Sequence, residues 1–512
     1  MENHLISVGR NILANYASQI YATVIGIVMV PLYIRYLGTE AYGLVGFFSM
    51  SQALFQMLDM GLTPTMARET ARFNGGAIDA LSLRRLLRAL EGVFFGVAIL
   101  GSAALMASAD IISSSWLKAQ QLPLEEVRNA IMLMAMIIAL RWVSGLYRGA
   151  VTGFEYMVWL SGCNIAVATA RFVLVIPFLA YVGATPTHFF GFQLAVAATE
   201  TILLVSMTYR LLPPIETGKS VRWSWAPIRN VLKFSLSIAF TGSTWILVTH
   251  VDKLVLSKLL VLEEYAYFTL AVVLANGVVF ISAPITSALL PRLNKLASRK
   301  DDEEFYRLYR QGTQSVAIVA IPAAAVLAAF AEEVLWIWTG NAHIARSAAP
   351  ILTLYSLGTG LLSVASFPAH LQVAKGDLRL HVIGAALFVS ILTPMLILAS
   401  TRYGAIGAGY SWLCMNLLYF LFWIPKVHRR FKSNLHTEWL KDDIAGILFC
   451  SVVSTTSARY FVSWSDDRAF ASLQLVAISA VILLIGAIGS SFLREKVASA
   501  LRYKLRTAGK EI

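Results

Sequence analysis

The feature that most confines this chain is a stretch of about twenty apolar residues that recurs along its whole length between short polar loops. We count about fourteen such stretches, beginning near residues 12, 42, 90, 130, 159, 189, 234, 266, 312, 347, 381, 405, 444 and 470. Hydrocarbon offers the backbone no external partner, so segments of this length cross as helices whose hydrogen bonds close on themselves. Composition points the same way: 57% of the 512 residues are hydrophobic and 14% are charged, against ~45–50% and ~25% in soluble domains. The expected fold class is an all-α polytopic membrane protein.

The formal charge of +13 would suit nucleic acid, but its distribution argues for a membrane instead. With alternate loops assigned to opposite sides, roughly 31 of the 42 Lys and Arg fall in one set and about 8 in the other. The basic set includes Arg68/Arg72/Arg84/Arg85/Arg88, Arg292/Lys295/Arg299/Lys300/Arg307/Arg310 and Lys426/Arg429/Arg430/Lys432. It is expected on the cytoplasmic side, against anionic membrane lipids, with both termini there too if the span count is even. "MENHLISVGR" leads into a long span with no cleavage site and reads as a retained helix. Cys163, Cys414 and Cys450 fall inside spans, and nothing in the chain calls for a disulfide, a metal or a cofactor. "GKS" at Gly218–Ser220 resembles the end of a phosphate-binding loop, but Pro213 stands where that motif needs glycine.

Pro213, Pro214 and Pro227 mark a break after six spans. Beyond it the opening is echoed, "RNILANY" by "RNVLKFS" and "LGTEAYGLVGFF" by "LVLEEYAYFTLA", as in a duplicated six-span unit. The expected division is a lobe of six helices over 1–215, a second over 216–432, and two further helices with a basic tail over 433–512. "LSLRRLLRALEG", "DDEEFYRLYRQG" and "LREKVASALRYKLRT" are expected as amphipathic struts along the cytoplasmic surface.

Chemistry concentrates in the first half. Arg141 stands about eleven residues into the fourth span, near mid-depth, and Arg148 follows one heptad later. A guanidinium facing lipid there costs at least ~2.5–3.5 kcal/mol, so it must face protein or a hydrated cavity. Gly145, Gly149 and Gly153 share a stripe that is either a groove or a helix-packing ridge. Polar faces recur in the second span (Gln52, Gln56, Asp59, Thr63), the fifth (Ser161, Asn164, Arg171) and the sixth (Gln193, Glu200). A hydrated cationic cavity satisfies them together. Either Arg141 or Arg171 could pair with Glu200, but one acid cannot neutralise both. His250, Asp252 and Lys253 lie toward the outer end of the seventh span, as a gate, a coupling site or a membrane-edge pair.

The opening "NYASQIYATVIGIVMVPLYIRYLGTEAYGLVGFFSMSQALFQMLDMGLTPTMARETAR" resembles the Wzx-type flippases of lipid-linked oligosaccharides, in the multidrug/oligosaccharidyl-lipid/polysaccharide (MOP) transporter superfamily. Pro31, Leu37–Gly43, Asp59–Gly61 and Arg68 carry the likeness, joined by "ALLPRLNKLASRKDDEEFYRLYR", "EEVLWIWTGN" and "YGAIGAGYSW" further on. The resemblance implies a V-shaped, two-lobed MATE/MurJ-like bundle in the bacterial inner membrane. It would move undecaprenyl-pyrophosphate-linked repeat units to the outer leaflet for O-antigen or exopolysaccharide synthesis, beside polymerase and chain-length machinery. Arg141, Arg171 and Arg148, with Asn164, Gln52 and Gln56, would then hold the pyrophosphate and sugars, and Glu200, Asp59, Asp252 and Lys253 would serve ion coupling or gating. The alternatives are a MATE-like drug exporter, which needs an acidic cavity, and a lipid II flippase. A membrane glycosyltransferase is disfavoured, because the external acid pairs Glu125/Glu126 and Asp466/Asp467 sit in short loops.

Overall fold

The computed structural model describes residues 2–214 and 223–494, apart from the side chains of residues 2–10, 12, 233, 237–242, 244, 245, 283 and 287. Gly218–Ser220 and all but the first two residues of "LREKVASALRYKLRT" lie outside the described residues. Among those described there is no strand, and one backbone bridge joins Lys118 to Val261.

The chain divides into two compact units, Met1–Ala266 and Tyr267–Ile512. The first holds α1 (Glu2–Val28), α2 (Val30–Leu37), α3 (Thr39–Gln56), α4 (Leu62–Asn74), α5 (Ala80–Ala107), the short α6 (Ala109–Ile111), α7 (Leu124–Gly153), α8 (Met157–Thr169), α9 (Val175–Val182), α10 (Pro186–Leu211) and α11 (Ala226–Leu259). The long α12 (Leu262–Arg299) carries the boundary in its first turns. The second unit continues with α13 (Asp302–Ala329), α14 (Ala331–Thr339), α15 (Ala342–Lys375), α16 (Arg379–Leu418), α17 (Ile424–Phe431), α18 (Leu435–Glu438), α19 (Gly446–Phe461) and α20 (Arg468–Ile488).

Eleven helical segments among the described residues are long and apolar enough to cross a membrane, so the protein is a multi-pass membrane protein. One of them, Arg379–Phe431, runs for 53 residues, more than a single crossing uses. Gly404, at φ 57° and ψ −140°, turns the chain inside it. Ser411 Oγ then donates to the Met395 carbonyl 3.3 Å away, as the two halves of α16 pack against each other. Span burial ranks the helices: 61% of the apolar window of α7 and 67% of that of α15 are buried, against 17% for the α8–α9 segment and for α20. α7 and α15 are thus the inner helices of their units, and α8 and α20 present apolar side chains outward to lipid.

The two described amphipathic stretches are not separate struts. "LSLRRLLRALEG" forms the first turns of α5, and "DDEEFYRLYRQG" straddles the Asp301 cap and the first turns of α13. The cause lies in their apolar faces, which bury Leu83, Leu86, Leu87 and Leu90 in one case and Phe305 and Tyr309 in the other. Each face continues in register into the following apolar run, so the helix has no reason to stop.

The family-like motifs in the first unit have local physical causes. Pro31 sits at the second position of α2, where its missing N–H costs nothing. Gly38, at φ 88°, closes α2 and starts α3. Glu40 two positions on accepts the backbone N–H groups of Gln120, Gln121 (2.8 Å) and Leu122 (2.8 Å), binding the loop before α7.

Candidate substrate cavity

The first unit encloses a cavity of about 460 Å³, within the usual range of small-ligand sites. It is lined by α3 with its terminal 3₁₀ turn, α4, α7, the π-helical turn before α9, α10 and α11. α3 ends in a turn of 3₁₀ helix at Met57–Asp59, after which Met60 (φ 46°) and Gly61 (φ 71°) take consecutive left-handed conformations. Asp59 then caps α4, accepting the Thr63 backbone N–H at 3.2 Å and its Oγ1–H at 2.6 Å. This is what the "LDMG" motif does: it reverses the chain and leaves Gln52, Gln56 and Asp59 on the cavity wall.

α7 crosses behind that turn, and its glycines decide how closely. A Cβ at Gly149 would stand 2.6 Å from the Thr63 carbonyl oxygen, and one at Gly153 2.3 Å from that of Ala67. The glycine stripe is therefore a packing ridge against α4, not an open groove. Its closeness brings Arg141, Ser144 and Arg148 to the lining alongside Asp59.

Arg171 arrives by a different device. The helix carrying it widens to a π-helical turn at Ala170–Leu174 between α8 and α9, a feature common at functional sites. Gln193 Nε2 donates to the Arg171 carbonyl at 2.8 Å, one of the backbone groups such a turn leaves to outside partners. Glu200, on α10, completes the lining.

Three guanidinium groups thus face two carboxylates in one space. Arg148 takes the acid, donating to Glu200 Oε1 at 2.5 Å and, with its other arm, to Asn164 Oδ1. The pairing expected for Arg141 or Arg171 goes to Arg148, because α7 places it one heptad below Arg141 and level with Glu200. Arg141 finds neutral partners only: Gln52 Oε1 at 2.7 Å and Gln193 Oε1 at 3.4 Å, with Phe48 under the guanidinium at 5.2 Å. Its Nε is buried without a hydrogen-bond partner among the described residues. Arg171 stacks on Phe172 at 5.3 Å, and among the described residues no hydrogen bond or ion pair reaches its guanidinium. The second carboxylate, Asp59, is occupied by Thr63. The cavity holds more cationic than anionic capacity, and among the described residues two of its three guanidinium groups, those of Arg141 and Arg171, have no acid bonded to them.

Asp252 and Lys253 are not brought to this cavity. They sit near the end of α11, where Lys253 Nζ meets Asp252 at 3.4 Å and the Thr249 carbonyl at 2.6 Å. Gln193 and Phe48, which hold Arg141, stand outside the site expected from sequence; Gln193 was legible as part of a polar helix face, whereas Phe48 is one aromatic among many.

The second unit has its own polar centre, built to the opposite plan. Arg310, on α13, donates to Asp443 at 2.9 and 3.1 Å, to Asp442 at 2.7 Å and to Glu438 at 3.3 Å. Asp443 is fully buried, and Gln314 Nε2 also reaches it at 2.7 Å. The Gln314 Oε1 atom accepts Ser490 Oγ (2.5 Å) and the Phe492 N–H (3.0 Å), tying the end of α20 to the same point. The three acids come from α18 and the π-helical turn Trp439–Ala445 that leads into α19. From sequence, Arg310 belonged with the solvated basic clusters; the acids that neutralise it lie more than 120 positions away.

Two family models match this chain: polysaccharide biosynthesis protein over residues 8–297, and lipid II flippase MurJ over residues 178–480. Each spans more than half of the chain, which therefore belongs to the polysaccharide biosynthesis and MurJ families, the flippase branch of the MOP transporter superfamily. Among curated proteins none matches it in sequence. Solved structures share its fold. An inward closed conformation of the lipid II flippase MurJ superposes with TM-score 0.72 at 12% identity, covering 95% of this chain and 100% of that one. An inward-facing multidrug resistance MATE family transporter of the MOP superfamily gives 0.64 at 13% identity, over 79% and 94%. The eukaryotic MATE transporter AtDTX14 gives 0.58 at 10%, over 85% and 98%.

Proposed function

We propose that this protein flips undecaprenyl-pyrophosphate-linked oligosaccharide repeat units from the cytoplasmic to the outer leaflet of a bacterial inner membrane, by alternating access. The observation that carries the reading is one cavity lined by three arginines, of which Arg148 alone is ion-paired to an acid. A pyrophosphate is a compact multivalent anion that must leave water to cross hydrocarbon. Guanidinium groups bind it through paired, directional hydrogen bonds, and they keep their charge where an ammonium could lose it. Arg171 and Arg141 are the binding pair, Arg148 the third arm, and Gln52, Gln56 and Asn164 the polar wall for sugar. The prenyl chain stays in lipid. In this reading the lobes are 1–215 and 216–432, with 433–512 appended, both termini are cytoplasmic, and the product passes to polymerase and chain-length machinery.

Deleting the gene in its host should abolish a surface polysaccharide and trap complete lipid-linked repeat units on the cytoplasmic leaflet. Intact polysaccharide with raised drug sensitivity would instead indicate an exporter. The MurJ match favours a second reading, flipping of the peptidoglycan precursor lipid II. Trapped lipid II in the depleted strain, with repeat units unaffected, would establish it.

A further inference from the structure

Resting on that reading and deepening it, we propose that α3 carries the subsite for the first sugar of the cargo: Phe55 is the ring on which that hexose stacks, and Gln56 reads its hydroxyls. The cavity then selects cargo by the sugar next to the pyrophosphate as well as by the anion.

Helix geometry sets the placement. Gln52, Phe55, Gln56 and Asp59 all line the cavity, at the three- and four-residue spacing of one helix face. Gln52 Oε1 accepts an Arg141 N–H at 2.7 Å, and Phe55 follows three residues later, about 4.5 Å of helical rise. The first sugar of a pyrophosphate-linked glycan is bonded to the phosphate itself. An anion held by Arg141 therefore brings that sugar to Phe55.

The side chains suit a pyranose. Such a ring shows polarised C–H bonds on its faces, which favour the negative face of an aromatic ring, and hydroxyls around its rim, which need both donors and acceptors. Among the described residues, two aromatic rings line the cavity, and Trp142 is already spent. It is 7% exposed, stacks on Phe94 at 4.8 Å and donates its indole N–H to the Phe94 carbonyl at 3.1 Å. Phe55 is partly exposed. Trp142 holds it from the side, perpendicular at 5.7 Å, and α5 makes room for its tip at Gly101, where a Cβ would stand 2.3 Å from Cζ. A ring fixed beforehand gives up little entropy on binding. Next to it Gln56 is exposed, and among the described residues its amide makes no hydrogen bond. A prenyl chain would cover that amide without satisfying it, and a cationic drug would be repelled by the arginines.

The test is calorimetric titration of the purified full-length protein with geranyl pyrophosphate, bare and bearing glucose, galactose or N-acetylglucosamine. The readout is the ratio of affinities with and without the sugar, in which a change in folded fraction or at the anion site cancels. Phe55→Met keeps the volume but not the ring, and it should lower the ratio roughly three- to tenfold for the sugar that wild type binds best. An unchanged ratio overturns the proposal, including the case where both probes weaken together because the ring serves the prenyl chain or the scaffold. If Phe55→Met does not fold, Gln56→Met, at an exposed position, decides: it should narrow the spread of affinities among the three sugars, and an unchanged spread overturns the proposal. A wild type that binds no probe overturns the reading of the cavity itself, a distinct result.

Discussion

The two units solve opposite problems with the same side chain. In the second, one arginine is shared by three acids: Arg310 bonds Glu438, Asp442 and Asp443, and a fully buried carboxylate is neutralised in place. In the first, three arginines line one cavity, Arg148 alone of them is ion-paired, to Glu200, and among the described residues no acid is bonded to Arg171. An over-neutralised cation is finished business: nothing is left for a ligand to satisfy, and the cluster fastens α13 to the segment leading into α19. An under-neutralised one holds charge that only an incoming anion can meet. The difference separates a structural arginine from a binding arginine more sharply than depth in the membrane or sequence context does.

The largest way to break this contrast is to empty its structural side. Arg310→Ala strands Asp443, at no exposure, among groups that cannot replace the cation. Removing one partner of a buried pair costs about 3–5 kcal/mol, so thermal unfolding in detergent should fall markedly or the protein should fail to accumulate. Where folded protein survives, its pyrophosphate affinity should match wild type. Arg171→Ala should do the reverse. Losing one charge-assisted contact to the anion should weaken pyrophosphate binding by roughly 10–100-fold, with unfolding unchanged or raised, since an unmatched, partly buried cation has gone. A thermal midpoint lowered as far as in Arg310→Ala would show that Arg171 is structural after all.

Gly149→Ala tests whether the cavity depends on the α4–α7 approach. The new methyl would meet the Thr63 backbone oxygen, which cannot swing aside. Overpacking of this kind costs about 1–3 kcal/mol, and by pushing Asp59 and Arg141 apart it should lower both stability and anion affinity. A variant with wild-type unfolding would return the stripe to the status of an open groove. Arg141→Lys is subtler, keeping the charge but losing the planar fork that spans Gln52 and Gln193. Transport measured on reconstituted repeat units should drop about tenfold without loss of folded protein.

The sequence exposed the helices, their polar faces and the surplus of guanidinium over carboxylate, because intramembrane charge is too costly to be incidental. Periodicity placed Gln52, Gln56, Asp59, Asn164 and Glu200 on inward faces, but it could not rank partners. Whether Glu200 met Arg141, Arg148 or Arg171 depended on helix rotation and on a π-helical turn that adds a residue to one turn and leaves no compositional trace. Gly149 read equally as groove or ridge, because the deciding fact is the distance to another chain segment. The Arg310 cluster was hidden for a related reason. An arginine near the start of an acidic-to-basic helix looks solvated until a segment far along the chain folds over it.

The smallest effect sharpens the comparison from within the Arg310 cluster. Asp442 and Asp443 are neighbours in sequence and both bond the same guanidinium, but the Asp442 side chain is 52% exposed and that of Asp443 is buried. Exposed ion pairs are screened by water and pay side-chain entropy, so Asp442→Asn should cost no more than about 1 kcal/mol. Asp443→Asn, which leaves Gln314 and Arg310 facing a neutral amide, should cost several times that. If thermal unfolding shifts equally for the two, the cluster acts as a diffuse charge balance, and counting acids around an arginine is enough to class it. Unequal shifts would mean that burial of the partner, and not its number, makes an arginine structural. Arg148 would then be graded by its tie to the 9% exposed Glu200, as the half-structural member of the cavity's three.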